Sequence, residues 1–147
     1  MSSPPTRPQA QAAAEARNTA TTRRWLLDVF NHKRIEDVPG IISPRYVNVG
    51  TTDRTGVPAG EDVIRQADTW APDRRIEIKY LVAQGDLVMI LFRLYGTHTG
   101  PFAGVEPTGA PFSVWLSDIF RFDEDGMMTE GWVIGKGDLR TELLRNA

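Results

Sequence analysis

The sequence predicts an α+β fold, with helices first and then an antiparallel meander that they cover on one face. Three observations carry this. Apolar residues recur at helical spacing up to Trp70, and beyond Pro72 the period changes to two. Residues 112–122 (FSVWLSDIFRF) alternate over their whole length, which puts Phe112, Val114, Leu116, Asp118, Phe120 and Phe122 on one face. Helices and strands are segregated along the chain, as in α+β folds with the helices on one side of the sheet. A strongly curved antiparallel sheet closed by the N-terminal helices forms a cone or half-barrel, and Asp118 then points inside.

In chain order, residues 1–11 are rich in Pro, Ser and Gln and read as a disordered tail. One domain follows over 12–147. Residues 12–31 form an amphipathic helix with Trp25, Leu26, Val29 and Phe30 on its apolar stripe. His32 and the cations around it cover the C-terminal end of that helix as a solvated face. A helical turn is expected over 35–41, a short strand over 46–49, and a polar loop over 50–59. Val63, Ile64, Ala67 and Trp70 mark a second helix over 60–70, which Pro72 ends. Ile76, Ile78, Tyr80 and Val82 alternate with charged residues, and Gly85-Asp86 is of hairpin type. Residues 87–97 are apolar on both faces, as a central strand would be. A Gly/Pro-rich connection leads to the strand over 112–122. A second hairpin and a last strand over 127–134 complete the sheet, and Asp138 is placed to cap a short final helix.

Composition narrows the function. The 147 residues are 41% hydrophobic and 24% charged, with a net charge of −2 and no long basic run, which disfavours nucleic acid or an anionic membrane surface as partner. Without cysteine, thiol catalysis and zinc–thiolate sites are excluded, and two histidines do not make a multi-histidine metal site. No apolar run is long enough to span a bilayer, and no secretory signal is visible, so the expected location is the cytoplasm.

Asp118 is the only ionisable group on its apolar face. Loss of solvation favours its neutral form and raises its pKa toward the working range of an acid or base. The alternative is a buried carboxylate satisfied by a backbone or Arg partner. His98 shares parity with Val88, Ile90, Phe92 and Leu94, so it either reaches the mouth of the same cavity or braces the Gly/Pro connection. Tyr46 and Asn48 share one face of their strand, where Asn48 can donate to a substrate carbonyl; the opposite phase would bury Val47 and Val49 instead. Trp70, Phe102 and Trp132 lie near element ends where a flat aromatic ligand can stack, and the alternative for each is the core. Glu130 is a second carboxylate, at a strand end where solvation is the rule. Leu87, Met89 and Leu91, with Trp115 and Ile119, make the outer face of the sheet apolar as well, which points to a homodimer or higher homo-oligomer.

Residues 96–109 (GTHTGPFAGVEPTG) and 118–132 (DIFRFDEDGMMTEGW) resemble the SnoaL-like polyketide cyclases of the nuclear transport factor two-like superfamily. The resemblance covers roughly residues 17–144. It implies an α+β cone and a cofactor-free enzyme of aromatic polyketide tailoring, in which an Asp abstracts a proton and the ring closes by intramolecular aldol condensation. It equally admits a cofactor-independent hydroxylase, and a non-catalytic small-molecule-binding domain is the third possibility. In either enzyme the substrate is a flat aromatic or polyketide-like molecule. Asp118 matches the family's acid/base position and His98 the frequent His of its GTHxG segment, whereas Asn48, Trp70, Phe102 and Trp132 are the expected substrate contacts. Many members carry Glu-His-Trp where this chain has Glu130-Gly131-Trp132. That departure removes a histidine from the expected pocket.

Overall fold

Helix α1 (Arg7–Arg23) starts earlier than the alanine-rich pattern suggests, inside the stretch expected to be a tail. Its start is a capping box: Thr6 Oγ1 accepts the Gln9 N–H at 3.3 Å, and Gln9 Oε1 accepts the Thr6 N–H at 2.8 Å. The computed structural model describes residues 3–50 and 53–147. Met1 and Ser2 of the expected tail, and Thr51 and Thr52 of the expected polar loop, lie outside the described residues.

α1 runs into a π-helical turn, Arg24–Phe30, that buries Trp25, Leu26, Val29 and Phe30. Such turns shift side chains out of the ordinary helical register and are frequent beside functional sites. A 3-10 turn (Ile35–Gly40) leads to β1 (Ile42–Val49), followed by α2 (Gly56–Trp70). β2 (Arg75–Gln84), β3 (Leu87–Thr97), β4 (Pro111–Phe122) and β5 (Met128–Ile134) come next, and α3 (Lys136–Leu144) ends the chain's regular structure.

The sheet order is β1-β5-β4-β3-β2. β2 to β5 form the expected antiparallel meander, but β1 pairs with β5 in parallel, so the sheet is mixed. The difference has a topological reason. A hairpin forces antiparallel pairing, whereas β1 reaches β5 only through α2 and the whole meander, so its direction is free of that constraint. The sheet does not close into a barrel, and β1 and β2 are its edges.

Ile90, Phe92 and Leu94 of β3 and Phe112, Leu116 and Phe120 of β4 are buried against the helices. A buried side chain of this kind contributes about 1.5–3 kcal/mol relative to exposure. A carboxylate in that row gives up such a contribution and carries a desolvation cost besides. β4 is the central strand, and its register sets Asp118 beside Ile90 on one side and Val133 on the other. Arg74, fully buried, ties the end of α2 to the π turn: it pairs with Asp68, donates to the Phe30 carbonyl at 3.3 Å, and lies 4.5 Å over the Phe30 ring.

Candidate active site

A cavity of about 730 Å³, counting its open mouth, lies between the inner face of the sheet and the helices. Its walls are mainly apolar: Trp25, Leu26 and Phe30 from the π turn, Val63 and Ala67 from α2, Phe92, Leu94 and Leu116 from the sheet. Four polar side chains interrupt them, Asn48, Gln66, Asp118 and Lys136. Few polar groups on an apolar concave wall are the usual make-up of a small-molecule site.

Asp118 is 6% exposed, and its Oδ1 has no hydrogen-bond partner among the described residues. Burial pushes its carboxyl up to about 7, against the pull of the Lys136 cation, which favours the charged form. No backbone amide or arginine satisfies that oxygen, so the structural reading of this residue loses its main support. Half the population is ionised near neutrality, which suits a general base.

Asn48 lines the same cavity, and its Oδ1 is likewise buried without a partner among the described residues. Tyr46 and Asn48 both face inward while Val47 is exposed, which settles the phase of β1. Tyr46 stays protonated: burial raises its phenol far above the usual range, and the neighbouring Asp118 charge adds to this. Gly131 lies in the strand next to β1, directly opposite Asn48. A Cβ at 131 would collide with the Tyr46 hydroxyl and come within 3.1 Å of its Cζ. The space a histidine would need at 131 is thus filled by Tyr46, a neutral hydroxyl group beside Asp118.

Sequence reasoning missed Lys136. Placing the start of the last helix at Asp138 left this lysine in a loop, whereas α3 begins at Lys136 itself. Gly135 before it has φ 105°, and a Cβ there would lie 2.8 Å from Leu116 Cδ2. Only glycine folds the chain back at this point, and the fold-back lays Lys136 and Leu139 over the cavity. Burial lowers the Lys136 ammonium pKa, opposed by the Asp118 charge. The readable signal was the Gly-Lys-Gly run just past the last strand.

Of the remaining expected site residues, Trp70 and Phe102 line the cavity, with ring centroids 4.7 Å apart. His98 and Trp132 do not line it. His98 is fully buried, edge-on to Trp70 at 6.4 Å, and its Nδ1 accepts the Thr108 N–H at 3.3 Å. Its own N–H donates to the Ala110 carbonyl at 3.0 Å, and its carbonyl accepts from Gly109 at 2.8 Å. It braces the Gly/Pro connection that carries Phe102. Strand parity fails for it because β3 ends at Thr97. Trp132 is 41% exposed on the outer face, where its Nε1–H donates to Glu130 at 2.8 Å. His98→Gln is therefore expected to lower stability by about 2 kcal/mol, the cost of a buried group left unsatisfied, with turnover within a few-fold of wild type. A large loss of turnover at unchanged melting temperature would contradict the bracing role.

Comparisons with known proteins place the chain in a family. Residues 20–137 match the family described as SnoaL-like polyketide cyclase. The chain is 32% identical to aklanonic acid methyl ester cyclase AcmA of Streptomyces galilaeus over 94 residues, 61% of this chain and 65% of that one. The matched part thus spans slightly less than two thirds of that relative. It is 30% identical to nogalonic acid methyl ester cyclase of Streptomyces nogalater over 122 residues, 78% of this chain and 90% of the relative. Among solved structures it resembles AclR of Streptomyces galilaeus, for which a hydroxylase role has been suggested. That match has a TM-score of 0.71 and 25% identity over 89% of this chain and 98% of the other.

Proposed function

The chain belongs to the SnoaL-like polyketide cyclase family, and on that premise we propose that it closes a ring in an aromatic polyketide by an intramolecular aldol reaction with Asp118 as base. The observation that carries the proposal is the state of Asp118, a buried carboxylate with an unpartnered oxygen on the wall of an apolar cavity. Its carboxylate takes a proton from a carbon flanked by carbonyls. The resulting enolate carbon attacks a second carbonyl of the same molecule, and the electron pair of that carbonyl becomes an alkoxide. Trp70 and Phe102 stack on the flat ring system, and Asn48 holds a carbonyl or enol oxygen. Fixing both reacting ends in one cavity converts a loose encounter into a positioned one.

Aklanonic and nogalonic acid methyl esters, which the names of the two relatives carry, are the probes of choice. Aldol closure gives a product of unchanged mass and altered retention, or of mass lowered by one water where dehydration follows. The likeness to AclR favours a second reading, in which the same base yields a carbanion that reacts with dioxygen; its product gains an oxygen atom. An unaltered probe that still quenches the fluorescence of Trp25 and Trp70 would leave only binding.

The outer face of the sheet supports a homodimer. The register sets Met89 beside Ile119 and Ile119 beside Trp132, an apolar row across three strands. Met89, Leu91, Trp115, Trp132 and Ile134 are all exposed there. A second copy related by a two-fold axis presents the same row and covers it. Trp115→Glu combined with Ile119→Glu is expected to give monomers in sedimentation at micromolar concentration. A wild-type chain that already sediments as a monomer would overturn the dimer.

A further inference from the structure

Lys136 is the sole cation among the described residues that line the cavity. Its side chain is largely exposed to solvent, and three observations nonetheless tie it to the cavity. It occupies the first position of α3, where a positive charge is disfavoured by the helix dipole, so the helix itself gains nothing from it. It lines the cavity together with Leu139, the buried residue one turn further along α3. It is set there by Gly135, whose left-handed backbone other residues adopt only with strain.

Among the described residues, these titratable groups bear on it. β4 brings Asp118, and β1 brings the Tyr46 phenol beside Asp118. The π turn and α2 contribute only apolar side chains and the neutral Gln66 to the cavity. Asp138 lies in the first turn of the same helix. Asp118 and Lys136 thus form a base and an acid facing one apolar space, each acting on the other's charge.

We propose that Lys136 is the second catalytic group of the site, binding the oxygen on which negative charge collects and returning the proton to the alkoxide. This rests on Asp118 as the base. Asp118 takes the proton from carbon and becomes a carboxylic acid. The new carbon–carbon bond forms as the attacked carbonyl's π pair moves onto oxygen. The Lys136 ammonium gives that oxygen a proton, leaving an alcohol and a neutral amine. The Asp118 acid then passes its proton to the amine, and both groups return to their starting state. The net reaction is an isomerisation with no co-reactant. A preorganised cation in an apolar space stabilises such an oxyanion far more than one in water does.

Two measurements on the full chain test this. The first needs no turnover: 1,3-dihydroxyanthraquinone, whose phenolate absorbs at longer wavelength than its phenol, serves as a flat oxyanion probe. Wild type and Lys136→Arg are expected to bind it as the phenolate at a pH where the free compound is neutral. Lys136→Met should bind it as the phenol. A phenolate band retained in Lys136→Met, or none in wild type, overturns the proposal. The second measurement is kinetic, on the two probe esters. Lys136→Met should lower kcat by about 100-fold or more and move the acid limb of kcat/KM to higher pH, because Asp118 loses the cation that favours its charged form. Lys136→Arg should keep the limb in place yet remain slow, since a guanidinium keeps its proton. Wild-type turnover in either variant overturns proton return by Lys136. An active Asp118→Asn overturns the base instead, so the two failures are distinguishable.

Discussion

Asp118→Asn is expected to reduce turnover of the probe esters by about 10²–10⁴-fold, the range that a positioned acid or base contributes. Binding should persist. The exchange is nearly isosteric, and the indoles of the cavity wall, Trp25 and Trp70, are untouched. The wild-type pH profile supplies the second half of the expectation. In the proposed mechanism Asp118 works as its carboxylate, and burial pushes its carboxyl up to about 7, so kcat/KM should rise with pH and level off above that value. Activity in the Asn variant within a few-fold of wild type would sink the mechanism. So would a profile whose acid limb lies near pH 4, where an ordinary solvated carboxylate titrates.

The same substitution should stabilise the protein at alkaline pH. In the unfolded chain the carboxyl titrates at 3.8, and in the folded chain at about 7. Below both values it is neutral in both states and carries no charge penalty. As pH rises through this window, the unfolded chain loses a proton that the folded chain keeps, so folding stability falls. Above about pH 7 the folded state holds a buried charge, at a cost on the order of 4 kcal/mol. Asn carries no such charge. The stability difference between variant and wild type should therefore grow from pH 4 to pH 8, reaching about 3 kcal/mol in favour of Asn. A flat difference across that range would mean that Asp118 is better solvated than its surroundings indicate. A variant that is slower but more stable identifies a residue kept for chemistry rather than for folding.

Much of this was legible in the sequence, and the reasons for the rest are local. Strict alternation in 112–122 placed Asp118 correctly because β4 is central and regular, and every second side chain meets the same core. β1 was ambiguous because period two gives alternation without saying which phase faces inward, and its pairing with β5 is shifted between Ile42 and Val47. Trp132 was misplaced because the phase changes within β5: Met128 and Gly131 are both buried although three residues apart, which strict alternation does not allow. The register belongs to the same distortion: adjacent Arg121 and Phe122 of β4 pair with Glu130 and Met128, which leaves Thr129 of β5 as the extra residue. His98 lies one residue beyond its strand, where parity ceases to apply. The early start of α1 was readable in principle, since Thr6-Arg7-Pro8-Gln9 has the spacing of a capping box. Lys136 depended on a left-handed glycine, which no hydrophobic period reports.

Gly131→Ala is expected to destabilise the fold by about 3 kcal/mol, the upper part of the range for overpacking a filled core. Each surrounding group resists the added methyl. Tyr46 is 2% exposed, and its hydroxyl occupies the place the methyl must take. Phe120 Cδ1 stands 3.4 Å away on the other side. For a chain of this size the loss corresponds to a fall in melting temperature on the order of 10 °C. A double-mutant cycle separates the cause from general damage to β5. Tyr46→Phe removes the hydroxyl but leaves the ring carbon at 3.1 Å, so it should restore about half of the loss. Gly131→His, which writes the more common Glu-His-Trp into this chain, should be worse than alanine alone and should recover only when Tyr46 is shortened to Ala. The exchange couples to function as well. Tyr46 stands beside Asp118, and any displacement of its ring admits water to the carboxyl, lowers its pKa and moves the acid limb of the profile down. If Gly131→Ala melts with the wild type and leaves that limb in place, Tyr46 is not the group that fills the missing histidine's space.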